Sequence, residues 1–188
     1  MLTWEELKAA CANCTRCGLC ETRHNVVFGI GNENADILFI GEGPGEQEDL
    51  QGQPFVGPAG KLLDDMLSII DLYRQENCYI ANIVKCRPPR NRDPHETEQD
   101  ACIDYLRSQV ALVQPKIIVC LGRIAAKRII DPDYRITRQH GTWVQKNGIW
   151  MTAIYHPSAL LRDVSKRPET FEDLLSIRSK IKELGAKV

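Results

Sequence analysis

Three polar side chains and a set of thiols are the groups in this chain best placed to do chemistry. Glu42 lies in the run Gly41-Glu42-Gly43-Pro44-Gly45-Glu46-Gln47-Glu48-Asp49, which continues to Gly52-Gln53-Pro54-Phe55-Val56-Gly57-Pro58. Glycines spaced so closely let the backbone approach a ligand, because no Cβ intervenes. A turn of this kind also suggests a phosphate loop. This one, however, lacks Gly-Lys-Ser/Thr and a spaced G-x-G-x-x-G, and Glu42, Glu46, Glu48 and Asp49 repel phosphate. Asn82 interrupts the apolar run Tyr79-Ile80-Ala81-Asn82-Ile83-Val84-Lys85. A buried amide must find partners, and a nearby loop is the plainest one. His156 opens His156-Pro157-Ser158, where a helix-capping histidine is the ordinary reading.

The thiols point to a different chemistry. Cys11, Cys14, Cys17 and Cys20 are evenly spaced by three. Cys-x-x-Cys spacing lets two thiolates reach one metal from a single turn, and a second pair makes it a signal for zinc or iron-sulfur. Cys78, Cys86, Cys102 and Cys120 are the candidates for that second pair. Cys120 sits inside an apolar run and reads as a core thiol, and Cys78, just before a strand, reads as structural. Cys86 in a loop and Cys102 on the helix after it can be brought to the N-terminal thiols. Alternatively, the four N-terminal cysteines bind one ion by themselves.

The frame that must position these groups is legible in outline. Ala35–Ile40 reads as a buried strand, so Glu42 stands at its carboxyl end, where open α/β sheets place ligands. Tyr79–Lys85 and residues 116 to 122 read as further strands. Ile149–Tyr155 is the second arm of a hairpin signalled by Asn147-Gly148. Thr3-Trp4-Glu5-Glu6 fits a capping box opening a helix expected to deliver the four N-terminal cysteines. Pro58 starts a helix with Leu62, Leu63, Met66, Leu67, Ile69 and Ile70 on its apolar face. A helix over 95 to 113 and a short one carrying Ala125 and Ala126 follow. Pro168 opens the last helix, with Phe171, Leu174, Leu175, Ile181 and Leu184 inward and Gly185 closing it. This alternation predicts a right-handed parallel α/β sheet covered on both faces, with Glu42, Asn82 and His156 converging on one crevice.

Composition narrows the partners. The 188 residues fit one domain with a full core, and a formal charge of −1 gives no global attraction to nucleic acid. Charge is nonetheless clustered at Lys85, Arg87, Arg90 and Arg92, and again at Arg123, Lys127, Arg128, Arg135 and Arg138. Solvated faces are the commoner outcome for such runs. No apolar run approaches membrane-spanning length and the N-terminus is acidic and helical, so a cytoplasmic chain is expected. There, eight cysteines argue for metal binding over disulfides.

Taken in order, several motifs resemble the family 4 uracil-DNA glycosylases, the iron-sulfur branch of the uracil-DNA glycosylase superfamily. They are Cys14-x-x-Cys17, Val27-Phe28-Gly29, Gly41-Glu42-Gly43-Pro44-Gly45, Pro54-Phe55-Val56-Gly57, Asn82 through Pro89, Leu121-Gly122 and His156-Pro157-Ser158. The likeness covers roughly residues 10 to 165 in colinear order. It implies a DNA repair enzyme that hydrolyses the N-glycosidic bond of deoxyuridine and leaves an abasic site. It also implies a single domain over residues 1–188, a three-layer α/β/α sandwich on a four-stranded parallel sheet. The implied ligands of a 4Fe-4S cluster are Cys14, Cys17, Cys86 and Cys102, with Cys11 and Cys20 outside the family pattern.

The resemblance also implies roles. Glu42 orients water and faces a cationic sugar, Gly41 and Gly43 offer backbone groups to the base, and His156 donates to the departing uracil. Phe55 stacks under the flipped-out base, Asn82 pairs with its N3–H and O4, and Glu48 crowds C5 to exclude thymine. Arg87, Arg90, Arg92 and Arg162 flank the pocket for phosphates. Expected partners are uracil-containing DNA, single- or double-stranded, with no membrane, a monomeric chain, and a sliding clamp as candidate protein partner. An iron-sulfur redox or sensor protein explains the cysteines but not Asn82 and His156. A catalytically silent DNA-binding module explains only the arginines.

Overall fold

A computed structural model describes residues 2–188. The chain opens with α1 (Trp4–Ala12), whose capping box closes: Glu6 N–H donates to Thr3 Oγ1 at 3.2 Å and Thr3 N–H to the Glu6 carboxylate at 2.8 Å. Asn13 ends the helix, its side-chain amide donating to Ala9 O at 3.0 Å. Helix α1 therefore carries Cys11 but not the other three thiols. Cys14 lies past its end, and Cys17 and Cys20 belong to the 3-10 turn Gly18–Glu21 and its entry, which corrects the expectation of one helix for all four.

The strands β1 (Ile30–Gly31) and β2 (Ile37–Gly41) come next, then α2 (Glu46–Gln51), α3 (Pro58–Ser68) and β3 (Tyr79–Asn82). Helix α4 (Glu96–Val113), β4 (Ile117–Leu121), α5 (Arg123–Ile129) and the single turn α6 (Ile136–Gln139) follow. The hairpin of β5 (Val144–Lys146) and β6 (Ile149–Ile154) leads into α7 (Pro157–Arg162) and α8 (Arg167–Glu183). Its turn residues Asn147 and Gly148 have φ of 51° and 83°, the two positive values that a type I′ turn requires.

One mixed sheet of six strands results, in the order β1-β3-β2-β4-β6-β5. Neighbours among β3, β2, β4 and β6 run parallel, while β1 and β5 pair antiparallel at the two edges. The expected sheet of four parallel strands is thus corrected to a mixed one of six. The additions are strands of two and three residues, too short to display a periodic pattern in sequence.

Both faces of the sheet are covered, so β2 and β4 are buried along their whole length. Leu38 and Ile40 pack with Leu7, Ile103, Leu106 and Ala125 on one side, while Ile37 and Phe39 pack with Leu63, Met66, Leu174 and Ile177 on the other. Helix α8 buries Thr170, Asp173, Leu174, Ile177 and Ile181, an i, i+3, i+4, i+7 stripe that leaves Phe171 outside at 43% exposure. Ile69, also expected inward, is 41% exposed past the last turn of α3. Strand β3 stops at Asn82, three residues short of expectation. Beyond it, Ile83 N–H donates to Gly41 O at 3.0 Å, Val84 N–H to Glu42 O at 3.1 Å and Val27 N–H to Lys85 O at 2.8 Å, so the chain leaves the ladder to stitch loops together. Among the described residues, no helix is long and apolar enough to cross a membrane.

Candidate functional site

A cleft of about 700 Å³ opens beyond the carboxyl ends of the parallel strands, the size of a small-ligand site. Glu42 and Gly43 reach it from β2, Asn82 from β3, and His156 two residues beyond β6. Glu48 from α2 and Phe55 from the following loop complete the set. Of the expected arginines, Arg87 and Arg90 do not line the cleft, and of the residues expected to face the base or sugar, Gly41 alone does not. Its carbonyl is taken by Ile83, and a Cβ there would overlap Asn82 Oδ1 and come within 2.7 Å of Phe55 Cζ. The glycine is required so that those two side chains can converge.

Asn82 is 2% exposed, and its Oδ1 has no hydrogen-bond partner among the described residues. No nearby loop satisfies it, contrary to the plainest reading of a core amide. An unsatisfied buried acceptor costs about 1–3 kcal/mol, and its position on the cleft wall leaves a donor from a ligand as the natural partner.

Phe55 is 6% exposed and held at φ 53°, an unusual conformation for a residue with a bulky side chain. Its ring lies 5.6 Å from the His156 ring at 30°, so the two form a sloping aromatic wall. Arg74 fixes the backbone beneath it, donating to Pro54 O at 2.9 Å and Phe55 O at 2.8 Å. Glu48 is equally fixed: its Oε1 accepts Val56 N–H at 2.9 Å and Gly57 N–H at 3.1 Å.

His156 does cap a helix, and the cap fixes which ring nitrogen carries the proton. Nδ1 accepts Ser158 N–H at 3.1 Å and lies 2.7 Å from Ser158 Oγ. Since Nδ1 is an acceptor, the proton of the neutral ring sits on Nε2. Burial, helped by Arg162, pushes His156 down to about 4, so the ring is a neutral Nε2–H donor near neutral pH. Glu42 moves the other way: burial, with a contribution from Asp93, raises it to about 7, while Arg123 and Arg162 pull it back.

Ser158, Arg74, Asp93 and Arg123 were not among the site residues expected from sequence. Ser158 alone carried a local signal, following a histidine and a proline at a helix start. Asp93 and Arg123 form an ion pair and both line the cleft. Arg92 and Arg162 line it too, Arg92 in a two-point pair with Glu98 at 2.7 and 2.8 Å. Lys85, by contrast, is 1% exposed and cannot join a phosphate-facing group.

The second constellation lies on the other side of Asn82. Cys11, Cys14, Cys17, Cys20, Cys86 and Cys102 line a single cavity with Arg16, Arg23 and Lys85, while Cys78 and Cys120 are buried elsewhere. Arg23 Nη1 donates to Cys86 Sγ at 3.3 Å and to Cys14 O at 2.8 Å, and Lys85 N–H donates to Cys102 Sγ at 3.3 Å. Burial pushes Cys102 up to about 11 and Cys11 to about 12, with Lys85 opposing in both cases. Such thiols become thiolates when a metal takes the place of the proton. Among the described residues no three of these side chains are gathered tightly enough to hold one ion, though all six thiols line the one cavity.

Comparison with known proteins identifies the family. The family model described as Uracil DNA glycosylase superfamily matches residues 28–177. The chain is 46% identical over 185 residues to a Type-4 uracil-DNA glycosylase of Archaeoglobus fulgidus, covering 93% of this chain and 89% of that protein. A Type-4 uracil-DNA glycosylase of Thermotoga maritima is 42% identical over 195 residues, covering 98% of this chain and all of its relative. One of Sulfurisphaera tokodaii is 42% identical over 182 residues, covering 93% of this chain and 83% of its relative. With its glycine-rich loop, Asn82 and His156 on one cleft, the chain belongs to the uracil DNA glycosylase superfamily and to its type-4 family.

Proposed function

We propose that the protein, acting as a single domain, excises uracil from DNA by hydrolysing the N-glycosidic bond. The observation that carries this reading is the orphaned Asn82 Oδ1 on the wall of a cleft with room for a nucleobase. Uracil offers an N3–H donor beside an O4 acceptor, and a fixed side-chain amide answers both. Phe55 supplies a face for the base to stack on, and Glu48, clamped by two backbone N–H groups, stands where a methyl on C5 would collide.

The chemistry follows from the charges that form. As the C1′–N1 bond breaks, its electron pair leaves with the base, and positive charge develops on the sugar. Glu42 as carboxylate faces that cation and accepts a proton from the attacking water, whose oxygen bonds to C1′. His156 Nε2–H donates to the uracil anion; a neutral donor matches an acceptor whose charge exists only in the transition state. Arg162 adds positive potential at both residues. Arg162, exposed on the cleft lining, and Arg90, exposed one residue before the cleft-lining Asn91, are the candidates for backbone phosphates of single- or double-stranded DNA. We further propose a monomeric cytoplasmic enzyme, with a sliding clamp as candidate partner.

The cysteine cavity fits an iron-sulfur group in its donor set. Cysteine thiolates are the usual ligands of such clusters, and the cationic neighbours Arg16, Arg23 and Lys85 line the same cavity. Cys14, Cys17, Cys86 and Cys102 are the proposed ligands of a 4Fe-4S cluster. Bound there, the cluster would be a covalent brace between the N-terminal segment, the loop after β3 and α4; excision needs no electron from it.

Matched oligonucleotides carrying uracil or cytosine test the reading, with abasic sites revealed by strand cleavage. The wild-type protein is expected to act on uracil alone. Asn82→Asp is expected to lose most uracil excision and gain weak cytosine excision, stronger at mildly acid pH. A protonated carboxyl there donates to cytosine N3 and accepts from its amino group, and burial favours that protonated form. Discrimination by such pairing reaches about 10⁴–10⁵. Unchanged uracil excision in Asn82→Asp would assign base reading to another group.

A further inference from the structure

Lys85 is a fully buried cation that neither the excision chemistry nor phosphate binding uses. At 1% exposure, its Nζ donates to Asn82 O at 2.9 Å and to Gln109 Oε1 at 2.6 Å. Gln109 is itself held, its amide donating to Phe28 O at 2.9 Å and lying 3.4 Å from the Tyr79 hydroxyl. Both acceptors of the ammonium are neutral, and no carboxylate among the described residues pairs with it. A charge buried with only neutral acceptors is costly unless an anion lies close by.

Among the described residues, the anion source beside it is the thiol set. Lys85 lines the same cavity as the six cysteines, precedes Cys86 in sequence and donates its N–H to Cys102 Sγ. One residue thus lines the cysteine cavity, with its ammonium within electrostatic reach of Cys102, Cys11 and Cys86, and grips the Asn82 carbonyl with its hydrogen bond. We propose that Lys85 is the internal counter-ion of the iron-sulfur cluster and, through the Asn82 carbonyl, the positioning residue that fixes the base-reading amide.

This rests on the cluster reading above. Four thiolates outweigh the positive charge of an iron-sulfide core, and reduction adds one further negative charge. A buried cation favours that reduced form, so Lys85 holds the reduction potential up. The same ammonium reaches back three residues to the carbonyl of the last residue of β3, the second hold on a peptide plane whose Ile83 N–H donates to Gly41 O, and the two together set the direction in which the Asn82 side chain leaves the strand.

The test compares wild type, Lys85→Met and Gln109→Glu, purified without air. The readouts are iron content, midpoint potential by film voltammetry and inhibition of excision by free uracil. Lys85→Met is expected to shift the midpoint to more negative values and weaken uracil inhibition by about tenfold or more, the effect of losing a charged hydrogen bond. Gln109→Glu sets a carboxylate against the ammonium while leaving the Asn82 contact in place. It is expected to lower the midpoint with uracil inhibition as in wild type. A brown wild type with the midpoint unmoved in Gln109→Glu overturns the counter-ion role, whether or not Lys85→Met retains iron. Wild-type uracil inhibition in Lys85→Met overturns the positioning role. A colourless, iron-free wild type overturns the cluster reading and this inference together.

Discussion

Glu42 and His156 share one cleft, yet burial drives them apart, Glu42 up to about 7 and His156 down to about 4. The carboxylate must be ionised to face a sugar cation, so single-turnover excision is expected to rise with pH through about 7. His156 is neutral throughout that range and contributes no second limb there. Stability has the opposite sign. Between the ordinary value of 4.5 and about 7 the folded state keeps the Glu42 proton that the unfolded chain has released, so stability falls as pH rises through that window. Glu42→Gln is therefore expected to lower excision by orders of magnitude with DNA binding nearly intact. It should also raise the melting temperature at about pH 8 but not at about pH 4, where both side chains are neutral. A wild-type rate flat across neutral pH would remove Glu42 as the titrating group. At this scale the sequence singles out the residues that the fold brings to one cleft, because Glu42, Asn82 and His156 each break an apolar or glycine-rich context. It does not show the Nε2–H tautomer, which depends on Ser158 N–H reaching Nδ1 across the first turn of α7.

The elements around Phe55 form a clamp whose parts come from two stretches of chain. Helix α3 approaches so closely that a Cβ on Gly60 would overlap the Phe55 carbonyl. Arg74, past the C-terminal end of that helix, binds the carbonyls of Pro54 and Phe55 and pairs with Asp64 at 2.7 Å. Gly60→Ala is expected to push the Phe55 shelf out of the cleft, abolishing excision while iron content stays at the wild-type level. Arg74→Gln is expected to cost about 1.5–3 kcal/mol, the range for hydrogen bonds to a charged group. At about 2–4 °C per kcal/mol in a domain of this size, melting curves resolve that loss. Retained activity in Gly60→Ala would mean that the base does not rest on Phe55. The clamp was invisible in sequence because Arg74 acts on residues 19 and 20 positions earlier, beyond any local pattern. The capping box at Thr3 and the Asn147-Gly148 turn were legible for the converse reason, since each is complete within four residues or fewer. Phe171 was misread because one aromatic residue outweighed the small and polar residues Thr170 and Asp173 that occupy the true buried stripe.

The molecule as a whole is tied together at the cysteine cavity. Arg23 reaches Cys86 across 63 residues, and the Tyr105 hydroxyl reaches Ala10 O across 95, so the N-terminal segment is held to α4 and to the loop after β3 largely there. The same segment touches the cleft side. His24 N–H donates to the buried Asp49 carboxylate at 2.8 Å, and Asp49 adjoins Glu48 on α2. Releasing the segment therefore loosens a cleft-lining helix as well as the cavity. Sequence spacing could nominate six thiols but not rank them, since all six line one cavity in the folded chain. Cys14→Ser, Cys17→Ser, Cys86→Ser and Cys102→Ser are each expected to lose iron from about four per chain and to lower the melting temperature by at least about 5 °C. Cys120→Ser is expected to keep its iron, because that thiol is buried in β4 away from the cavity. Cys11→Ser and Cys20→Ser are the deciding variants, because their thiols line the cavity without being proposed ligands. Both are expected to stay brown with iron unchanged, measured alongside thermal melting on protein purified without air. Iron lost from either one, with Cys86→Ser or Cys102→Ser still brown, would move the ligand set to the N-terminal thiols and release the loop after β3 from its brace.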